Sequence, residues 1–212
     1  MLSRILAVAS TVVLIATGAQ AVTFNLTGAG GGDLSGTGSR TATFDEDGVS
    51  GRVRANSTYR GGRDSVITSD RHGIGVDNGR SHDSPDIDGA NGSDWLTFTF
   101  DTAVRLVSIS FGHFDAYDLG FDWRRGLYLV DDDDAWVNVR GDGAGFTGTD
   151  RSTYYFGDVI ARGFSIRAFQ RNDDFVVSSF TVAPIPLPAS ALLLIGGLAG
   201  FGVMRRRKQR MA

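Results

Sequence analysis

Trp95-Leu96-Thr97-Phe98-Thr99-Phe100 alternates apolar and hydroxyl side chains, and its reading decides the fold. In an extended chain successive side chains point to opposite faces, so Leu96, Phe98 and Phe100 share one face and the threonines the other. That is a strand with one buried side. Downstream, Val107, Ile109 and Phe111 alternate with Ser108 and Ser110, whereas Val104 and Leu106 hold the opposite phase. The change of phase predicts a bulge or a late strand start near Leu106. The Asp101-Thr102 pair predicts a turn that folds the two runs against each other.

The same short runs recur between Gly, Asp, Asn and Ser clusters, and no stretch between residues 22 and 183 has a convincing helical period. Val22 to Leu26 reads as a first strand. Arg40 to Phe44 and Val49 to Ala55 flank Asp45-Glu46-Asp47-Gly48, whose Asp-Gly end favours a tight hairpin. Leu127 to Val130 and Ala135 to Val139 form another hairpin around Asp131 to Asp134. Gly163 to Phe169 and Phe175 to Val182 read as a closing pair. About nine strands over this length point to an all-β, jelly-roll-like β-sandwich.

Two segments flank that body. Residues 1–21 read as a secretory signal peptide: Arg4 is the positive start, Ile5 to Ile15 the apolar stretch, and Ala19-Gln20-Ala21 a small-residue site for signal peptidase. Residues 184–212 have three parts. Pro184, Pro186 and Pro188 lack backbone donors and hold the chain extended. Ser190 to Met204 is apolar, slightly shorter than the ~20 residues of a comfortable membrane span. Arg205, Arg206, Arg207 and Lys208 then form a basic stop that stays cytoplasmic, which puts the body, residues 22–183, on the outer side.

The stretch Ile185-Pro186-Leu187-Pro188-Ala189, followed by this short span and arginine cluster, resembles the VPLPA-CTERM class of PEP-CTERM sorting signals. Such signals mark bacterial surface and exopolysaccharide-associated proteins. The resemblance covers the C-terminal tail and departs from the name motif by Ile for Val. It implies an inner-membrane-anchored precursor, cut near the motif by an exosortase-type enzyme and released to the cell surface or extracellular matrix. The same tail would also serve as a plain anchor that is never cut. The body, in turn, resembles the β-domains that precede such tails, through Gly73-Ile74-Gly75-Val76-Asp77, Asp86-Ile87-Asp88-Gly89 and Phe111-Gly112-His113-Phe114-Asp115. Those domains are similar to carbohydrate-binding jelly rolls, most without an assigned ligand.

Charge and composition narrow the function classes. The body holds all 24 acidic residues against 15 arginines, a net charge of −9, and its only glutamate is Glu46. An acidic body repels nucleic acid, which is excluded as a partner. Cysteine is absent, so thiol catalysis, zinc–thiolate sites and disulfides are excluded as well.

Few residues point to catalysis. There is no Gly-x-Ser-x-Gly elbow and no His-Glu-x-x-His pair, and a single glutamate rules out a Glu/Glu glycosidase pair. His72, His82 and His113 read as solvent-exposed loop residues. Two acidic groups invite calcium, which takes six to eight oxygen ligands: Asp77, Asp83, Asp86, Asp88, Asn91 and Asp94, and then Asp115, Asp118 and Asp122. Asp86, Asp88, Asp115, Asp118 and Asp122 are the expected ligands, brought to one end if the runs on either side of Asp101-Thr102 pair. The competing reading is that these residues are turn formers. Trp123, between Asp122 and Arg124, is a candidate platform for stacking a sugar ring. Trp95 and Trp136 read as core or rim packing.

The expectation is therefore a non-enzymatic exported surface or matrix protein. A carbohydrate-binding module for exopolysaccharide is the alternative, and an aspartate-dependent hydrolase the third.

Overall fold

A computed structural model describes residues 20–90, 92–113, 153–168 and 171–185, and the backbone of strand residues 127–130, 136–138 and 145–146. Among them lie β1 (Val22–Asn25), β2 (Thr41–Glu46), β3 (Val49–Ser57), β4 (Val66–Ser69), β5 (Ile74–Asp77) and β6 (Ile87–Asp88). They are followed by β7 (Asp94–Gly112), β8 (Leu127–Val130), β9 (Trp136–Asn138), β10 (Gly145–Phe146), β11 (Thr153–Arg167) and β12 (Asp174–Pro184). The one helical element among the described residues is a 3-10 turn at Tyr59–Gly62. The described residues are all-β, as their two-residue alternation predicts. No helix among the described residues is long and apolar enough to cross a membrane.

The Asp-Gly hairpin forms as expected. Glu46 pairs with Val49, and Asp47 and Gly48 between them have φ of 48° and 79°. Two left-handed residues make the type I′ turn whose twist matches the strands.

The turn expected at Asp101-Thr102 does not form. Asp94 to Gly112 is one strand of 19 residues that does not reverse there; its ladder with β11 slips between the Thr99 and Val104 pairs, a bulge that bends the strand. Each half finds partners other than its sibling. In the first half Phe98 lies opposite Val53 of β3 and Phe164 of β11; in the second, Leu106 lies opposite Val182 of β12 and Val159 of β11. Gly163 makes the bend feasible, since a Cβ there would collide with the Phe98 carbonyl. The phase change near Leu106 is real: Val104 and Leu106 are buried, then Ile109 and Phe111. The ladder with β12 slips between the Ser108 and Leu106 pairs, which is the bulge.

A second expectation is also corrected. Gly163–Phe169 and Phe175–Val182 are not a hydrogen-bonded pair, because the strand order is β4-β5-β12-β7-β11-β8-β9 and β7 lies between them. They meet through side chains instead, the Phe164 and Phe180 rings having centroids 6.0 Å apart. Among the described residues the count rises to twelve strands. β4, β5, β6 and β10 are too short to show a period, and β11 begins earlier than its alternation suggests.

Each long strand bulges against the other, β7 between Thr99 and Val104 and β11 between Tyr155 and Val159, and the sheet surrounds one core. Phe24 stacks on Phe180 at 4.6 Å, Phe98 stacks on Phe164 at 4.5 Å, and Phe98 meets Phe180 edge-on at 5.1 Å. All four rings are fully buried. The compact unit runs from Gln20 to Ile185.

Candidate functional site

The segment between β5 and β7 is loop, held to the sheet by the two residues of β6, where Asp88 pairs with Asp174 and Ile87 with Phe175. Its polar residues first shape the chain. Asp77 Oδ1 accepts from Gly79 N (2.8 Å), Asn78 Oδ1 from Arg80 N (3.1 Å), and Asp88 Oδ1 from Ala90 N (2.8 Å). These are the side-chain turns that favour Asp and Asn in loops.

The same turns gather three carboxylates. Oxygens of Asp83, Asp88 and Asp94 all lie within 4.8 Å of one another. Asp88 and Asp94 are buried, Asp94 completely. Asn78 joins them: its Nδ2 donates to Asp83 Oδ1 at 3.0 Å and to Asp94 Oδ2 at 3.2 Å, and its backbone N donates to Asp83 Oδ2 at 2.9 Å.

Electrostatics follow from this enclosure. Burial pushes the Asp94 carboxyl up to about 7, the charges of Asp83 and Asp88 push the same way, and hydrogen bonds from Ser57 and Asn78 oppose. Asp83 is also raised, mainly by burial, against the hydrogen bond from the Asn78 backbone. Three carboxylates this close together suit an oxygen-ligated divalent cation, which would offset their repulsion.

The expected calcium ligands divide. Asp88 lies in this cluster with Asp83 and Asp94. Asp86, two residues away, instead puts Oδ2 3.2 Å from His113 Nδ1. Asp115, Asp118, Asp122 and the Trp123 platform lie outside the described residues, as does Asn91. So do the signal segment up to residue 19, Pro186, Leu187, Pro188 and Ala189 of the sorting motif, and the basic stop Arg205 to Lys208. Ile185, the first motif residue, is described and is 42% exposed just beyond β12.

Sequence reasoning missed the hub, Asn78, because Asn78-Gly79 reads simply as a turn. It also missed a groove of about 540 Å³ on the outer face of β2, β3 and β7, lined by Thr41, Arg52, Arg54, Asn56, Trp95 and Thr97 among others. Arg52 and Arg54 are exposed there. The signal was present: Trp95 has the parity of Thr97 and Thr99, so alternation already points it outward. Arg167 of β11 stacks over its indole at 4.6 Å. No protein-family model, curated protein or solved structure matches the chain.

Proposed function

We propose that the chain is a non-enzymatic exported protein of the cell surface or exopolysaccharide matrix, matured by signal peptidase at its start and by an exosortase-type enzyme at its tail. One observation supports this most. The last strand runs to Pro184, and the first residue of Ile185-Pro186-Leu187-Pro188-Ala189 is already exposed. A processing enzyme needs such a segment outside the folded sheet. Changing Pro186 and Pro188 to Ala should leave uncut precursor in the membrane. Normal maturation of that variant would count against the proposal. The jelly-roll-like sandwich is the finer reading of the fold, supported by β7 and β11, which each bend to serve both sides of the core.

The groove favours a second reading, a carbohydrate-binding module. Trp95 offers an aromatic edge, Asn56 and the threonines offer hydroxyl and amide partners, and Arg52 and Arg54 offer guanidinium forks for a uronate carboxylate. A glycan array containing neutral and acidic polysaccharides separates the two readings, and polysaccharide turnover would instead favour an aspartate-dependent hydrolase. Calcium is the proposed structural ion, with Asp83, Asp88 and Asp94 as its ligands.

A further inference from the structure

Two of the three histidines meet where the loop before β5 passes the end of β7. The His72 and His113 rings lie 4.3 Å apart between centroids, tilted by 50°. Asp70 completes the group: one carboxylate oxygen of Asp70 and one ring nitrogen of each histidine all lie within 4.8 Å of one another. Read along the sequence these are separate loop residues, and only the fold brings them together.

We propose that Asp70, His72 and His113 bind a divalent transition-metal ion of the zinc class, held in register by Asp86. The donor set is the first argument. Two imidazoles and a carboxylate suit zinc and its neighbours, whereas calcium and magnesium take oxygen ligands. This site is therefore chemically distinct from the all-oxygen cluster around Asn78.

The distances are the second argument. His113 Nε2 lies 3.7 Å from Asp70 Oδ2. That is long for a hydrogen bond. It is close to the ~3.4 Å between neighbouring donor atoms around a tetrahedral zinc with bonds of about 2.05 Å.

Orientation is the third. Asp70 Oδ1 accepts from the backbone N of His72 (2.7 Å) and of Gly73 (3.0 Å), which leaves Oδ2 turned to His113. The largely buried Asp86 lies 3.2 Å from His113 Nδ1. A proton on Nδ1 shared with Asp86 leaves the Nε2 lone pair facing Asp70. This is the carboxylate–histidine pairing that fixes a metal-binding tautomer.

The backbone is arranged to the same end. His113 holds a left-handed φ of 56°, a conformation that a non-glycine residue adopts at a cost. Beside it, a Cβ on Gly112 would lie 2.6 Å from the His72 carbonyl oxygen, so only glycine lets the two histidine segments approach so closely.

Arg71 marks the point of entry. Its Nε donates to His72 Nε2 at 2.7 Å, so a guanidinium holds that lone pair. Whichever ring nitrogen of His72 binds the ion, this hydrogen bond must break: binding at Nε2 takes the lone pair, and binding at Nδ1 moves the ring proton to Nε2. Arg71 is exposed and free to swing away. It is a competitor for the site.

Isothermal titration of the purified full chain, made without a histidine tag, tests this with zinc chloride and calcium chloride in parallel. One zinc per chain should bind to the group, insensitive to excess calcium. His113→Gln and His72→Gln should each weaken it at least 100-fold, and His82→Gln should leave it unchanged. Asp86→Asn should weaken it about 10- to 100-fold, and Arg71→Ala should tighten it. Circular dichroism identical to wild type shows that the variants are folded. Cobalt(II) substitution should give the intense visible absorption of a four-coordinate ion. Zinc binding unaffected by His113→Gln, or fully displaced by calcium, overturns the proposal, as does the absence of zinc binding in the folded wild-type chain.

Discussion

Asn78 Nδ2 lies 3.2 Å from Asp94 Oδ2, and this hydrogen bond serves a carboxyl with no solvent exposure at the head of the longest strand. It offsets only part of the burial cost, because the group titrates near 7 when folded against an ordinary value of 3.8. Between those values the folded protein keeps a proton that the unfolded chain releases. Falling pH through this window therefore favours folding, and above about 7 the full cost of a buried charge is present.

In chelator, wild type should gain stability between pH 7 and 5.5, by roughly 1.5 kcal/mol from this group, which is already half protonated at pH 7. Asp94→Asn should flatten that gain. Urea midpoints at the two pH values measure it, and equal pH dependence in both proteins would exclude Asp94 as its source.

Calcium should act in the opposite pH sense. It needs the ionised cluster, so its stabilisation grows as pH rises. An ion that binds only the folded state at a hundredfold excess over Kd adds about 2.7 kcal/mol. Melting at pH 8 with calcium and with chelator should differ for wild type and coincide for Asp88→Asn. An unchanged wild-type midpoint means that Asp83, Asp88 and Asp94 serve as turn and core residues alone.

The Phe98–Phe180 contact ties β7 to β12 across the core. Phe180→Ala should cost about 3–5 kcal/mol, the range for removing a buried ring. Phe180→Leu should cost clearly less. Urea unfolding measures both, and a loss under 1 kcal/mol for Ala would mean that the ring cluster is not the core.

If the groove binds acidic polysaccharide, Arg54→Ala and Trp95→Ala should each reduce affinity at least tenfold. The arginine variant should also lose part of the salt dependence, with Arg52 carrying the rest. Binding unaltered by both would place recognition elsewhere on the protein.

Much of the fold was legible in alternation. Leu96, Phe98 and Phe100 are buried as their parity requires, and Asp47-Gly48 turns as its chemistry requires. What misled was local turn chemistry inside long strands. Asp101 and Thr102 look like a turn but sit at a bend, because β3, β11 and β12 offer β7 better partners than its own two halves do. β11 also changes register against β7, between Tyr155 and Val159, within a strand that runs unbroken from Thr153 to Arg167. The carboxylate cluster was half visible. Asp83, Asp88 and Asp94 stand out in sequence, but selecting them over Asp77 and Asp86 depends on where β6 docks on β12. The pairing of His72 with His113, residues far apart in the chain, depends on tertiary structure alone.

The most direct test of the central claim is the intact mass of the mature protein from native cells. The account predicts a chain that begins near Val22 and ends near Ala189, lacking both the apolar run and the arginine cluster. A mature chain that still carries Arg205, Arg206 and Arg207 would contradict it and make the tail an ordinary anchor.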